Sequence, residues 1–275
     1  MTRILFFGDV VGKAGRKKLF AEVDNIVSKL NVDFTIVNAE NSAHGFGITP
    51  HIAEKFFLHQ IDVLTTGDHI WDQMTIKPFL QQEKRIVRPY NYKKFNDGDG
   101  AHLYTSHNNK RILVVNLLGR LFIDRENLTS PFSAADEILE KYKLGVNVDA
   151  IFVDFHAEAT SEKMSIANYL DGRVSAVVGT HTHIPTSDAH ILPSGTAFQS
   201  DAGMCGDFNS SIGMKKDLSL ERFLHPDVMV RLSPAEEDAT ICGVIIDVDE
   251  KTGLASNIEP IIVGAYLHNT HTNLL

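Results

Sequence analysis

Six short runs rich in Val, Ile, Leu and Phe stop abruptly on residues that carry a carboxylate, an amide or an imidazole. RILFF ends in Gly8-Asp9, FTIVNA in Glu40-Asn41 and IDVLTT in Gly67-Asp68-His69. RILVV ends in Asn116, AIFVDF in His156 and VSAVVG in His181-Thr182-His183. Runs of this length and composition read as buried strands. Between several of them the apolar residues change to helical spacing, from Gly15 to Leu30, and Thr49 and Ser130 each precede a first-turn proline as N-caps. Thr160-Ser161-Glu162-Lys163 reads as a further helix start with its side chains used for capping, a phosphate contact from Lys163 being the other use of that lysine.

Strand and helix alternating in this way predict an α/β protein, whose ligands gather beyond the carboxyl ends of the strands. The six polar endings should therefore converge on one site. AHLYTSHNNKRILVV, AHILPSGTAFQS and ICGVIIDVDEKTGLASNIEPIIV read as hairpins, so the sheets should be mixed. About ten strands would make one open sheet very wide, and two stacked mixed β-sheets flanked by helices, a four-layer αββα sandwich, fit better. With 43% hydrophobic residues in 275 and no low-complexity linker, one domain over residues 1–275 is expected.

Composition then removes several classes of function. The opening apolar stretch is short for a signal peptide, and no run approaches the ~20 apolar residues of a membrane span, so a soluble cytoplasmic protein without a membrane partner is expected. A formal charge of −9 argues against a broad nucleic-acid-binding surface. Two cysteines, Cys205 and Cys242, support neither a disulfide framework nor a thiolate zinc site. Any metal must be held by nitrogen and oxygen.

The strand ends collect such donors: Asp9, Glu40, Asn41, Asp68, His156, His181 and His183. Taken singly each has an ordinary role, as a turn residue, a cap or a core histidine, and only their company points to a metal. Imidazole and oxygen without sulfur suit Mn²⁺, Fe or Zn²⁺ better than Ca²⁺ or copper. Seven protein ligands exceed the needs of one octahedral ion but serve two that share a carboxylate, ~3.5–4 Å apart. Asp154 reads as structural, Asn116 as either lining the site or holding a loop, and Gly45-Phe46-Gly47 as a loop near the cleft. Trp71 reads as packing against the next helix in preference to stacking on a base.

Asp9 in GDVVG, Asp68-His69 in GDH, the distal His156 and GTHTH together resemble the calcineurin-like metallophosphoesterases. The finer pattern resembles their YmdB-type branch, associated with 2′,3′-cyclic-nucleotide phosphodiesterase activity: GDVVG, NAENSAHGFGIT, GDHIWD, VDFHAEATSEK, GTHTHIPT and SDAGMCG. The resemblance implies that Glu40 bridges two ions, that Asp9, Asn41 and His183 complete one, and that Asp68, His156 and His181 complete the other. It implies iron or manganese before zinc, a catalytic His69 that protonates the leaving oxygen or stabilises the transition state, and attack on phosphorus by a metal-bridging hydroxide. The expected partner is a small nucleotide or phosphodiester; a phosphomonoesterase, a nuclease or a weakly catalytic nucleotide-binding regulator are the alternatives, and a homo-oligomer stays open. One departure stands out: the family pattern has Asn where this chain has Asp68. Three carboxylates among the ligands instead of two would take two divalent ions and a hydroxide from one net positive charge to none, predicting lower activity or a shifted metal preference.

Overall fold

The computed structural model describes residues 1–275 apart from 95, 124, 272, 273 and 275. The first sheet starts with β1 (Thr2–Phe7), β2 (Asp9–Val10), β3 (Phe34–Asn38), β4 (Val63–Thr65) and β5 (Ile86–Val87). The chain then crosses to a second sheet made of β6 (Ala101–Thr105), β7 (Arg111–Leu118), β8 (Ala150–His156), β9 (Ala176–Thr180), β10 (His190–Ile191) and β11 (Ala197–Gln199). It finally returns to the first sheet with β12 (Met204–Asp207), β13 (Ala239–Val248) and β14 (Ala255–Gly264).

Both sheets are mixed, as the hairpins require. β1, β3, β4 and β5 run parallel, while β13 pairs antiparallel with β1, β12 and β14. β7, β8, β9 and β11 are parallel neighbours, and β6 and β10 add antiparallel edges through the two hairpins read from the sequence.

The period-2 alternation of a strand explains why these runs look uniformly apolar: both faces are covered. Ile4 and Phe6 of β1 face the second sheet, where the rings of Phe6 and Phe152 lie 4.9 Å apart. Leu5 and Phe7 point the other way, onto Leu19, Val23 and Ile26 of α1 (Gly12–Leu30) and toward α2 (Pro50–Phe56) and α3 (Ile76–Gln82). The outer face of the second sheet packs Leu113, Val115 and Phe155 against α4 (Pro131–Lys141) and α5 (Thr160–Leu170). Helix, sheet, sheet and helix thus form the four expected layers, with α6 (Lys216–Leu224) outside that scheme and mostly exposed. Among the described residues no helix is long and apolar enough to cross a membrane.

Thr49 and Ser130 cap α2 and α4, accepting from the backbone N–H of Ile52 and Ser133. Thr49→Ala should lower stability by about 1 kcal/mol, read as a shift of the urea midpoint at constant slope. The expected capping of α5 by its own Thr-Ser-Glu start is not found. Ala159 occupies the N-cap without a side-chain hydrogen bond, and Glu162 instead accepts from the backbone N–H groups of Arg120 and Leu121. Strand β7 also runs past Asn116 to Leu118, so that residue lies inside the strand, its amide donating to the Asp154 carbonyl.

Candidate metal centre

The parallel strands of both sheets end at the same edge of the sandwich. The first sheet brings Asp9 in β2, Glu40-Asn41 just after β3 and Asp68-His69 beyond β4. The second brings His156 as the last residue of β8 and His181 and His183 after β9. Ligand atoms of Asp68, His156 and His181 lie within 4.8 Å of one another, and so do those of Asp9, Glu40 and His156. His183 Nε2 lies 3.2 Å from Asn41 Oδ1 and 3.9 Å from Asp9 Oδ1. All seven residues predicted from the sequence are therefore brought together.

Asp9 and Asp68 each have one oxygen held by the protein and one left over, whereas Glu40 has both in use, its Oε2 lying 2.6 Å from His156 Nε2. Asp9 Oδ2 accepts from the His181 backbone N–H at 3.1 Å, Glu40 Oε1 from the His69 backbone N–H at 2.6 Å, and Asp68 Oδ2 from the Arg125 guanidinium. Asp9 Oδ1 and Asp68 Oδ1 are buried without any hydrogen-bond partner among the described residues. Buried carboxylate oxygens are normally satisfied, and two orphans facing one cluster of imidazoles fit a cation.

The imidazoles are divided in the same way. The Thr180 hydroxyl donates to Asp154 Oδ1, so it accepts from His156 Nδ1–H at 2.9 Å and leaves Nε2 facing Glu40 at 2.6 Å. His183 Nδ1–H donates to the Ile212 carbonyl, and His181 Nε2 lies 3.2 Å from Glu158, which turns His181 Nδ1 toward His156 and Asp68. Asn41 donates its amide N–H to the Gly45 carbonyl and presents its oxygen. Outer partners of this kind fix which atom a ligand offers. Asp154 is structural as expected: it accepts from Asn38, Thr65 and Thr180 behind His156.

The protein's own charges are poised around this cluster. Burial pushes the Asp9 carboxyl above its usual range against the pull of His183 and His156. Burial would do the same to Glu40 and Asp68, but His156 together with His69 outweighs it, helped at Asp68 by His181, and both carboxyls fall below their usual values. Burial opposes the His156 imidazolium, yet Glu40, Asp68 and Asp9 hold its pKa well above normal. Burial, then the neighbouring His156, pushes His181 down to about 4, leaving a neutral nitrogen donor.

The His181-Thr182-His183 turn is backbone-strained, with φ of 96° at His181 and 67° at His183, in the left-handed region that side chains disfavour. Thr182 between them donates both its N–H and its hydroxyl to Asp201 Oδ2, which also takes Lys163 Nζ at 2.8 Å. Lys163 is thus buried in an ion pair and is not available to a phosphate. Trp71 likewise packs in the core beneath the outer helices.

His69 stands apart from the orphaned oxygens. Its Nδ1–H donates to Asp72 at 2.7 Å, its ring meets Phe46 edge-on at 5.1 Å, and it lines a cavity of about 270 Å³ with His181, His183, Met214 and Leu232. Burial works against its imidazolium, but the Asp72 hydrogen bond and the charges of Glu40 and Asp68 raise its pKa above the usual value. Phe46, from the Gly45-Phe46-Gly47 loop, also borders a larger cleft of about 990 Å³ with Lys215, Arg222 and Arg231.

Sequence reasoning missed Arg125, Glu158, Asp201 and the Thr180 relay. Arg125 lies 57 residues from its partner Asp68, in a stretch without strand or helix periodicity, so no local signal marks it.

A two-sheet αββα sandwich with imidazole and oxygen donors gathered where its strands end defines a metallophosphoesterase. The chain belongs to the YmdB-like protein family, which it matches over residues 5–261. It is 42% identical over 261 residues, 95% of this chain and 97% of the relative, to a 2′,3′-cyclic-nucleotide 2′-phosphodiesterase of Bacillus subtilis (strain 168). Its fold matches the crystal structure of a phosphatase from Mycoplasma pneumoniae with a TM-score of 0.89 at 33% identity, covering 100% of this chain and 99% of the other. The crystal structure of a protein from Thermus thermophilus gives a TM-score of 0.87 at 35% identity, covering 96% of this chain and 99% of that one.

Proposed function

We propose that this chain is a dinuclear-metal phosphodiesterase that opens the ring of a 2′,3′-cyclic nucleotide. The observation that carries the reading is the divided donor set: Asp9 and Asp68 each turn one orphaned buried oxygen, and His156 and His181 one ring nitrogen each, toward a common centre. Family membership and the name of the Bacillus subtilis relative support the substrate class. In this reading Asp9, Asn41 and His183 would hold one ion, Asp68, His156 and His181 would hold the other, and Glu40 would serve both. Two divalent ions, iron or manganese, would supply the Lewis acidity that activates water and offsets charge on the phosphoryl oxygens.

The chain's own residues account for the remaining steps. His69, whose imidazolium the Asp72 hydrogen bond and the charges of Glu40 and Asp68 favour against burial, would give a proton from Nε2 to the departing ribose 2′ oxygen. Phe46, Met214 and Leu232 offer an apolar wall to a base. One catalytic domain over residues 1–275 is part of this proposal, because both sheets contribute donors. The proposed location is the cytoplasm, which the two buried free thiols suit.

The test is turnover of 2′,3′-cyclic AMP by purified protein with Mn²⁺ or Fe²⁺, beside 3′,5′-cyclic AMP, a model diester and a phosphomonoester. Metal-dependent cleavage of the 2′,3′ ring is expected, and a clear preference for the monoester would reject the diesterase reading. His69→Ala should lower kcat about 10²-fold with metal content intact; loss of metal would instead make His69 a ligand.

A further inference from the structure

The charge count made from the ligands alone leaves out Arg125. Its Nε and Nη2 both donate to Asp68 Oδ2, at 3.0 and 2.6 Å, and the guanidinium is the cation nearest that carboxylate. Two donors on one oxygen saturate Oδ2 and leave Oδ1, buried and unpartnered, as the atom facing His156 at 3.5 Å and His181 at 3.7 Å. Nη2 also comes within 3.3 Å of His69 Nδ1, so one side chain touches both the ligand carboxylate and the proposed proton donor.

We propose that Arg125 is a positioning residue that makes Asp68 equivalent, in charge and in geometry, to a neutral oxygen ligand. The role rests on the reading of Asp68 as a metal ligand. A free carboxylate can rotate and offer either oxygen, whereas this one is locked by a planar fork that stays protonated at any working pH. The pair is formally neutral, which restores the net positive charge that three carboxylates would remove. Arg125 therefore supports both cation binding and attraction of an anionic diester, and the sequence-based expectation of a weakened site is reversed.

The chemistry gives a sharp test. In Asp68→Asn alone, an amide N–H2 would meet the donors of Arg125, or the amide would flip and turn its N–H2 to the cation; either arrangement is poor. In Arg125→Gln alone, Asp68 is free and uncompensated. In the double variant, an Asn beside a neutral side chain can offer its oxygen to the ion. Wild type, the two single variants and the double variant should be titrated with Mn²⁺ by electron paramagnetic resonance, and kcat and KM measured on 2′,3′-cyclic AMP. Each single change should weaken Mn²⁺ binding about 10–100-fold and lower kcat more than KM changes. The Arg125→Gln change should then cost nothing further, or restore binding, when Asn occupies position 68. Equal losses from Arg125→Gln in both backgrounds, or unchanged Mn²⁺ affinity in the single variant, would overturn the proposal. Wild-type protein that binds no Mn²⁺ would instead overturn the underlying reading of the site.

Discussion

Glu40→Gln is expected to lower kcat/KM about 10³-fold or more, near 4 kcal/mol of transition-state stabilisation, and to reduce metal content while the fold persists. Both oxygens of Glu40 are in use: Oε1 accepts from the His69 backbone N–H at 2.6 Å and Oε2 lies 2.6 Å from His156 Nε2. Glutamine has the same shape but only one acceptor. If that acceptor stays on the His69 N–H, the amide N–H2 is aimed at the ion site. If it turns round, two N–H groups face each other in a buried position. Neither arrangement allows one side chain to join two ions. Metal analysis, turnover and circular dichroism on the same preparation separate these effects. A variant with full metal content and wild-type turnover would remove Glu40 from the centre of the site.

The largest loss of stability is expected from Asp201→Ala. Asp201 accepts from Lys163 Nζ, from the N–H and hydroxyl of Thr182, and through Oδ1 from the Gly203 N–H. Its removal leaves the Lys163 ammonium, 2% exposed, without its carboxylate. Breaking a buried pair from one side costs about 3–5 kcal/mol, or roughly a 10 °C fall in Tm for a chain of this size. It also frees the strained turn that carries His181 and His183, so metal affinity should fall with stability. Lys163→Met provides the contrast: Asp201 keeps its three hydrogen bonds from Thr182 and Gly203, and a methionine fills much the same space. Its cost should be clearly smaller. Thermal and urea unfolding of both variants give the comparison, and an Asp201→Ala protein within about 1 kcal/mol of wild type, the scale of one ordinary hydrogen bond, would disprove the anchoring role.

The parts of this molecule that were legible in the sequence are those specified by neighbours in the chain. Continuous apolar runs marked strands covered on both faces, and the abrupt polar endings marked the edge where the donors meet. Thr49-Pro50 and Ser130-Pro131 are short-range cap signals, and all three hairpins carried their own turns. Strands β2, β5 and β12, two to four residues long, are too short to show a period. β2 and β12 exist because β12 pairs with both β2 and β13, partners far away in sequence, and β5 because it adds to the edge of β4. The same reason hid the supporting groups. Lys163 read as exposed at a helix start because nothing nearby announces Asp201, and Asp68 read as an uncompensated charge because Arg125 comes from a distant loop.

The crossing of the chain between sheets sorts the donors by element. Every oxygen comes from the first sheet and every imidazole from the second. A cation that takes both kinds of ligand would therefore tie one sheet to the other, and mass action would make it a fastener of the fold: about 4 kcal/mol at a free concentration a thousand times its Kd. In a chain growing from its N-terminus the hard donors are complete once Asp68 has been made, while the last imidazole arrives only with His183. Selection of a transition metal over a harder ion thus waits until the second sheet exists to make it.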